Sequence, residues 1–582
     1  MGQRRLARDG GAGEVMRRRP ALLAMAVVAL GAVVLLLALG TEDERFARAP
    51  AAEQLTPVAV RTGAPAPAGV AGVPPEVAAA ASEWPLPNRD YANTRATRDA
   101  KIDAGNVRDL GIAWRRKLHG ATHWGAAASG PLIAGGAVYF QDLRSDVWAL
   151  DVRDGATRWK ARVDAPAFGP NGPAIGWGKL YAQDGGDRLL AFDLDTGAPA
   201  WSRVLAGPTG AQQPTVYGGL VQTGLVAGRD RRLPDHVYRM ELLADGSSGW
   251  VYGVRADDGR VVWDFRTVTP GNWGNARLNS GGGVWFPPAV DTASGRVFWS
   301  TGNPAPGPGT IDYPNASSRP GPNRWTNSVL AFDARSGERA WSRQLQPHDL
   351  LHHDLQNSPM LVEAGGRRLL VASGKGGVVF GLDRDDGSLR WRTPIGVHRN
   401  DGLERLPADD SPVWITPGFW GGIETPGAAA DGSLYFLSEN LATPYTATAW
   451  RSETASQTVQ NHEGRTPLDK GTSELVALDA ASGRIRWRHA FPMVGFGGAT
   501  VVNDLVFTAT YDGTVYALRR SDGSVAWHGS LGAGVNAWPA VAGDTIVWPA
   551  GLGRDPALVA LRLGARPRSE TVPRTRVARV ER

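Results

Sequence analysis

The chain has 582 residues, no cysteine, 74 glycines, 41 prolines, 22 tryptophans and a formal charge of +6. Lack of cysteine excludes disulfides, thiolate metal sites and haem attached through a CxxCH motif, and the glycine- and proline-rich, modestly charged composition points to many short strands joined by turns. The positive charge is confined to the ends: residues 1–20 carry +4 and residues 562–582 carry +5, which leaves about −3 between them and argues against a nucleic-acid surface on the folded part.

In chain order, the first predicted element is a membrane helix. A basic flank (1–20) ending in MRRRP precedes ALLAMAVVALGAVVLLLALG (21–40), twenty residues without a charge, enough to span a bilayer. Arginines lie before it and TEDE (41–44) after it, so the N-terminus is expected inside and the rest outside the cytoplasmic membrane. A cleaved signal peptide is the alternative, but its apolar region is usually shorter; the expectation is an uncleaved single-pass anchor. Residues 41–83, rich in alanine and proline, read as a linker, and 564–582 as a basic disordered tail. The folded part is expected over 84–563.

That part repeats itself. DVWALDVRDGATRW (146–159) recurs at 188–201, 250–263, 328–341, 378–391, 474–487 and 514–527, and in every copy glycine stands four residues before tryptophan. Each copy reads as an apolar strand, a tight turn whose glycine takes a positive φ, and a second strand ending in tryptophan. An eighth copy is split between the ends: LVALRL (558–563) supplies its first half and GIAWRRKL (111–118) the strand bearing Trp114. The predicted fold is therefore all-β, an eight-bladed β-propeller closed by pairing of N- and C-terminal strands, which removes exposed sheet edges. The eight tryptophans at the repeat ends are expected to pack between blades.

This pattern resembles the quinoprotein alcohol dehydrogenases, which use pyrroloquinoline quinone (PQQ). The resemblance covers 84–563. It includes WPLPNRDYANTR (84–95) with NVRDLGIAW (106–114), GAGVNAWPAVAGDTIVWPAG (532–551) and, most specifically, GGGVWFPPAVDTASGRVFWSTGNPAP (281–306). The resemblance implies that Trp285 stacks on PQQ and that Asn303, eighteen residues on, offers an amide oxygen to Ca²⁺ or a lanthanide ion. It also implies that Lys375, in ASGKGG (372–377), approaches the quinone oxygens.

The stretch QPHDLLHHDLQNSP (346–359) places three of the ten histidines within six residues. His348 and His352 have the i, i+4 spacing of zinc helices, but Pro359 and the preceding strand-like run make a helix doubtful. Matched to the family's PHDxWDxD, His352 falls at the catalytic aspartate and Asp354 at the extra carboxylate of lanthanide-using members. Asp354 and His352 are thus the candidate catalytic residues, Asp354 also a metal candidate, and His353 is expected to point the other way. Two further positions depart from the family: Arg229 ends GLVAGR (224–229) where a glutamate ligand is expected, and Asn171 in GPNGPA (169–174) replaces a carboxylate-binding arginine. Asp230, Glu241 or Asp245 could compensate for the missing glutamate.

The resemblance implies a membrane-tethered PQQ-dependent dehydrogenase oxidising an alcohol or sugar. With no haem motif, its electrons would pass to a separate membrane or periplasmic acceptor. The alternatives are a variant enzyme with altered metal use and a catalytically inactive propeller serving as an extracytoplasmic binding or assembly scaffold.

Overall fold

Each repeat needs partners, because an apolar strand pair buries neither face alone. In the computed structural model, which describes residues 72–119, 125–167, 169–205, 212–227, 247–268, 273–448 and 468–565, every repeat forms the third and fourth strands of an antiparallel four-stranded blade, to which the seventh adds Ala96–Thr97 as a parallel fifth strand. The blades span 132–161, 174–204, 215–266, 289–344, 360–394, 428–491 and 500–530; the eighth joins Ala540–Ala542, Thr545–Ala550 and Ala557–Leu563 to the N-terminal strand Leu110–Lys117. The split copy closes the ring as expected, with Trp114 opposite Ala560.

One register explains the repeat. The tryptophan always pairs with alanine or glycine on the neighbouring strand, as in Ala149 with Trp159, Gly253 with Trp263 and Ala517 with Trp527, and a bulge follows at the same place in each blade. A small residue opposite leaves room for the ring: a Cβ on Gly253 would lie 2.2 Å from Trp263 Nε1. The indole then reaches the next blade. Trp114, Trp159, Trp201, Trp263, Trp341 and Trp487 donate their N–H to backbone oxygens there, at 2.9–3.3 Å. Their rings also cover the next repeat's turn glycine. Gly387 has φ +73°, and a Cβ on it would lie 2.6 Å from Trp341 Cε3. Gly387→Ala is therefore expected to cost about 2–3 kcal/mol, from the left-handed backbone and the displaced indole together. A shift in the urea midpoint measures it, and an unchanged midpoint would show that the contact is slack.

The stretch from Trp84 to Thr97 crosses the central channel and pairs with the inner strands. Trp84 bridges Ile133, the Tyr91 hydroxyl donates to Val216 O, and the oxygens of Tyr91, Ala92, Thr94 and Arg95 accept from Val290, Leu361, Ala429 and Val501. Arg95, fully buried, donates to Ala499 O, Thr500 Oγ1 and Pro539 O of the last two blades. This stretch touches seven of the eight blades.

Ordered contacts begin earlier than Trp84. The short helix Pro75–Ala79 lies inside the stretch expected as linker; Val77 is buried and the Glu76 carboxylate accepts from the Trp177 and Gly178 N–H groups. Among the described residues no helix is long and apolar enough to cross a membrane. The predicted anchor (21–40) and nearly all of the tail lie outside them.

Candidate active site

Strand direction alternates within each blade. The loops between blades and those between second and third strands therefore emerge at one mouth of the ring. Trp285 sits between the third and fourth blades, Asn303 after the fourth blade's second strand, His352 and Asp354 between the fourth and fifth blades, and Lys375 in the fifth blade's turn. These residues, separated by up to ninety positions in sequence, all reach that mouth.

Asp354 is at its centre, 1% exposed. Its Oδ1 accepts the Asn303 N–H at 2.8 Å and its Oδ2 lies 3.3 Å from Lys375 Nζ, an ion pair rather than a well-aligned hydrogen bond. A Cβ on Gly302 would fall 2.2 Å from Asp354 Oδ1 and 2.9 Å from Trp285 Nε1. The carboxylate and the half-buried indole thus converge over a backbone surface that only glycine leaves open. Lys375 also lies over the rings of Phe419, at 4.8 Å, and Trp420, at 5.3 Å.

The charges at this point do not balance. Around the single ammonium of Lys375 stand Asp354, Glu424 and, beyond it, Glu439, all buried. Burial works against the charge on Lys375, yet the Glu424 and Asp354 carboxylates more than offset this and raise its pKa. For the carboxyls burial wins: Asp354 is raised despite Lys375, Glu424 is pushed up to about 7, and Glu439 lies well above the ordinary range.

His352 is differently occupied. Its Nδ1 lies 3.0 Å from Asn303 Nδ2 and its Nε2 donates to Gly307 O, which fixes the tautomer with the proton on Nε2. Burial drives its pKa down to about 4, so it is neutral near pH 7, and its lone pair is directed at Asn303 rather than at the mouth. The backbone at His352 has φ +57°, in the left-handed region, which turns the chain between His352 and His353. His353 consequently faces Pro417 O at 3.1 Å, and His348 faces Gly321 O at 3.0 Å. The three histidines share no centre. Asp349 holds their loop, accepting the Leu351 and His353 N–H groups and the Asn327 amide, while Arg319 reaches across to Asp349 O.

Asn171 lies in the loop between the first and second blades, which opens on the same mouth; its Nδ2 donates to Asp142 O, and its buried Oδ1 has no hydrogen-bond partner within the protein. Arg229, with Asp230, Glu241 and Asp245, lies outside the described residues. Sequence reasoning missed Glu424, Phe419 and Trp420, all in TPGFWGGIETPGA (416–428). Their signal was position, since a loop between blades faces the mouth.

Asn303 and Asp354 do meet, as a metal would require, but Asp354 already carries an ammonium group. Among the described residues no set of three His, Cys, Asp or Glu side chains could hold an ion. Ca²⁺ takes six to eight oxygen ligands. The described residues do not fit a divalent ion. A flat anionic ligand suits them better, with the Lys375 ammonium beside the Trp420 ring and the Trp285 indole near Asp354.

Comparison with known proteins agrees with the architecture. Residues 235–394 match the family described as glucose/ethanol/alcohol dehydrogenase, β-propeller domain, and residues 96–240 and 430–578 match that described as outer membrane protein assembly factor BamB. The chain belongs to the quinoprotein alcohol dehydrogenase-like family of eight-bladed propellers. Among its relatives, the quinohemoprotein alcohol dehydrogenase of Comamonas testosteroni is 26% identical, covering 79% of this chain and 71% of the relative. Methanol dehydrogenase [cytochrome c] subunit 1 of Methylorubrum extorquens is 25% identical, covering 80% and 82%. The crystal structure of the Comamonas enzyme superposes with a TM-score of 0.71 at 22% identity, covering 85% of this chain and 82% of that one, and supports the fold.

Proposed function

We propose that this protein is a PQQ-binding dehydrogenase acting on an alcohol or sugar, tethered by 21–40 on the outer side of the cytoplasmic membrane and passing electrons to a separate acceptor. The observation that carries the reading is the buried Lys375–Asp354 pair meeting Trp285 over Gly302. When bound, PQQ supplies the two-electron acceptor for the hydride of the substrate. Trp285 would stack on its face and exclude water, and Lys375 would hold negative charge developing at its oxygens. Asp354 is the proton acceptor in this reading: burial raises it toward the pH at which a general base works, and it takes the hydroxyl proton as the C–H bond breaks. His352 positions Asn303, and Asn303 in turn holds Asp354 through its N–H.

Equilibrium dialysis of PQQ against the full chain in detergent, with Ca²⁺, with a lanthanide and with chelator, tests this. Saturable one-to-one binding in all three conditions is expected, because the described site offers an ammonium rather than a metal. Trp285→Ala should weaken binding at least tenfold without lowering the melting temperature; equal affinity would remove Trp285 from the site. Failure of the wild type to bind would favour the scaffold reading, which gains support from the arginine at the family's glutamate position and from the histidine at its aspartate position.

A further inference from the structure

Glu424 and Glu439 are not used in the chemistry above, yet they are the most unusual groups at the mouth. They come from neighbouring segments of the sixth blade and the loop before it. Gly422 and Glu439 exchange both backbone hydrogen bonds, at 2.8 and 2.9 Å, and the Glu424 N–H lies 3.4 Å from Glu439 Oε2. The loop packs directly on the turn carrying Lys375. Ile423 N–H donates to Gly374 O, and a Cβ on Gly422 would lie 1.9 Å from Lys375 O. Glu424 is 8% and Glu439 1% exposed. Glu424 Oε2 accepts from Gln356 Nε2 at 2.8 Å, while Glu424 Oε1 and Glu439 Oε1 have no hydrogen-bond partner within the protein.

The groups acting on this pair are few. Among the described residues, Lys375 supplies the positive charge on it and Asp354 a further negative one; Gln356 is neutral, and Tyr445, whose hydroxyl donates to Leu351 O, stays protonated. Glu439 has Glu424 as its charged neighbour and pairs across the sheet with the uncharged Ser473. Three ionised carboxylates around one ammonium would leave two uncompensated negative charges out of water, a cost no buried site sustains. A proton is the one compensating charge available among these residues.

We propose that near pH 8 Glu424 and Glu439 hold one proton between them, and that seating an anion beside Lys375 draws in a second from solvent. The inference rests on the PQQ-binding reading for its anion, but not for the pair itself. With one shared proton the locus carries one net negative charge: Lys375 positive, Asp354 and one glutamate negative. An anionic quinone competes with that charge for Lys375, and protonating the second carboxyl removes the competition. Glu424 and Glu439 act as positioning residues, setting through Lys375 how strongly the site attracts an anion. Such a pair also makes binding depend on pH, stronger below about pH 7 and weaker above, where Glu424 loses its proton.

Two measurements test this. Infrared difference spectra of the cofactor-free protein between pH 6 and pH 9 should show loss of a carboxylic-acid C=O band. The band should be absent in Glu424→Gln, an isostere of the protonated form, and altered in Glu439→Gln; identical spectra in wild type and both variants would overturn the shared proton. PQQ added at pH 8 in weak buffer should then drive uptake of up to one proton per molecule bound, lost in Glu424→Gln. Binding without uptake at pH 8 would overturn the coupling. No binding at all would overturn the functional reading and the uptake with it, leaving the infrared band to decide the pair alone.

Discussion

Lys375→Met is expected to destabilise the protein by about 3–5 kcal/mol near pH 8, the usual consequence of removing one partner of a buried ion pair. Methionine matches the stem of lysine in length, so packing against Phe419 and Trp420 is largely kept and the loss reports charge. Asp354, 1% exposed, would be left beside Glu424 with the Asn303 N–H as its remaining hydrogen bond. Its escape is to take a proton. The folded variant would then hold a proton that the unfolded chain releases near its ordinary carboxyl pKa, so stability falls as pH rises between the two values. The deficit relative to wild type should shrink toward pH 5, by about 1.4 kcal/mol for each unit over which Asp354 titrates. Urea midpoints at pH 5 and pH 8 measure this, and the double variant Lys375→Met/Asp354→Asn should recover much of the loss at pH 8. Equal midpoints for wild type and Lys375→Met at both pH values would mean that no such pair exists.

The ring was legible because its period is written in residues with few alternatives. Glycine is needed where φ is near +70° beneath an indole, and a small residue is needed opposite each tryptophan. Even the split eighth blade could be reconstructed, since Trp114 obeys the register of the other seven. Trp285, Asn303, Asp354 and Lys375, read from motifs, come together at one mouth, and Asn171 stands in another loop opening there. The rest depended on burial, which a single sequence does not display. Glu439 is the penultimate residue of the strand SLYFLSEN (433–440) and reads as a polar strand end, yet it is as buried as the phenylalanine three residues before it. Glu424 reads as a loop carboxylate until the turn holding Lys375 is found packed on it. His352 shows the converse. The match to PHDxWDxD made it a proton acceptor, and only its partners show both ring nitrogens engaged.

Arg95→Ala should be the most damaging single change in the ring outside its aromatic core. Ala499 and Pro539 each stand just before the first strand of a blade, and Arg95 donates to the backbone oxygen of both. Arg95 meets four acceptors at once: Asn88 Oδ1, Ala499 O, Thr500 Oγ1 and Pro539 O, at 2.6–3.1 Å, with the Trp84 ring at 5.4 Å from its guanidinium carbon. Each buried oxygen left unpaired costs about 1–3 kcal/mol, and the vacated volume adds to that, so a loss of about 4 kcal/mol or more is expected. Lysine should rescue little, because a single nitrogen cannot span acceptors from three segments as a planar fork does. Thermal melts of Arg95→Ala and Arg95→Lys compare the two. If both melt within about a degree of wild type, the stretch through the channel is not what fastens the seventh and eighth blades. A large drop shared by both variants would place the integrity of this ring as much in its centre as in the strand pairing that joins its ends, because Arg95 ties the eighth blade, which the terminal strand completes, to the seventh.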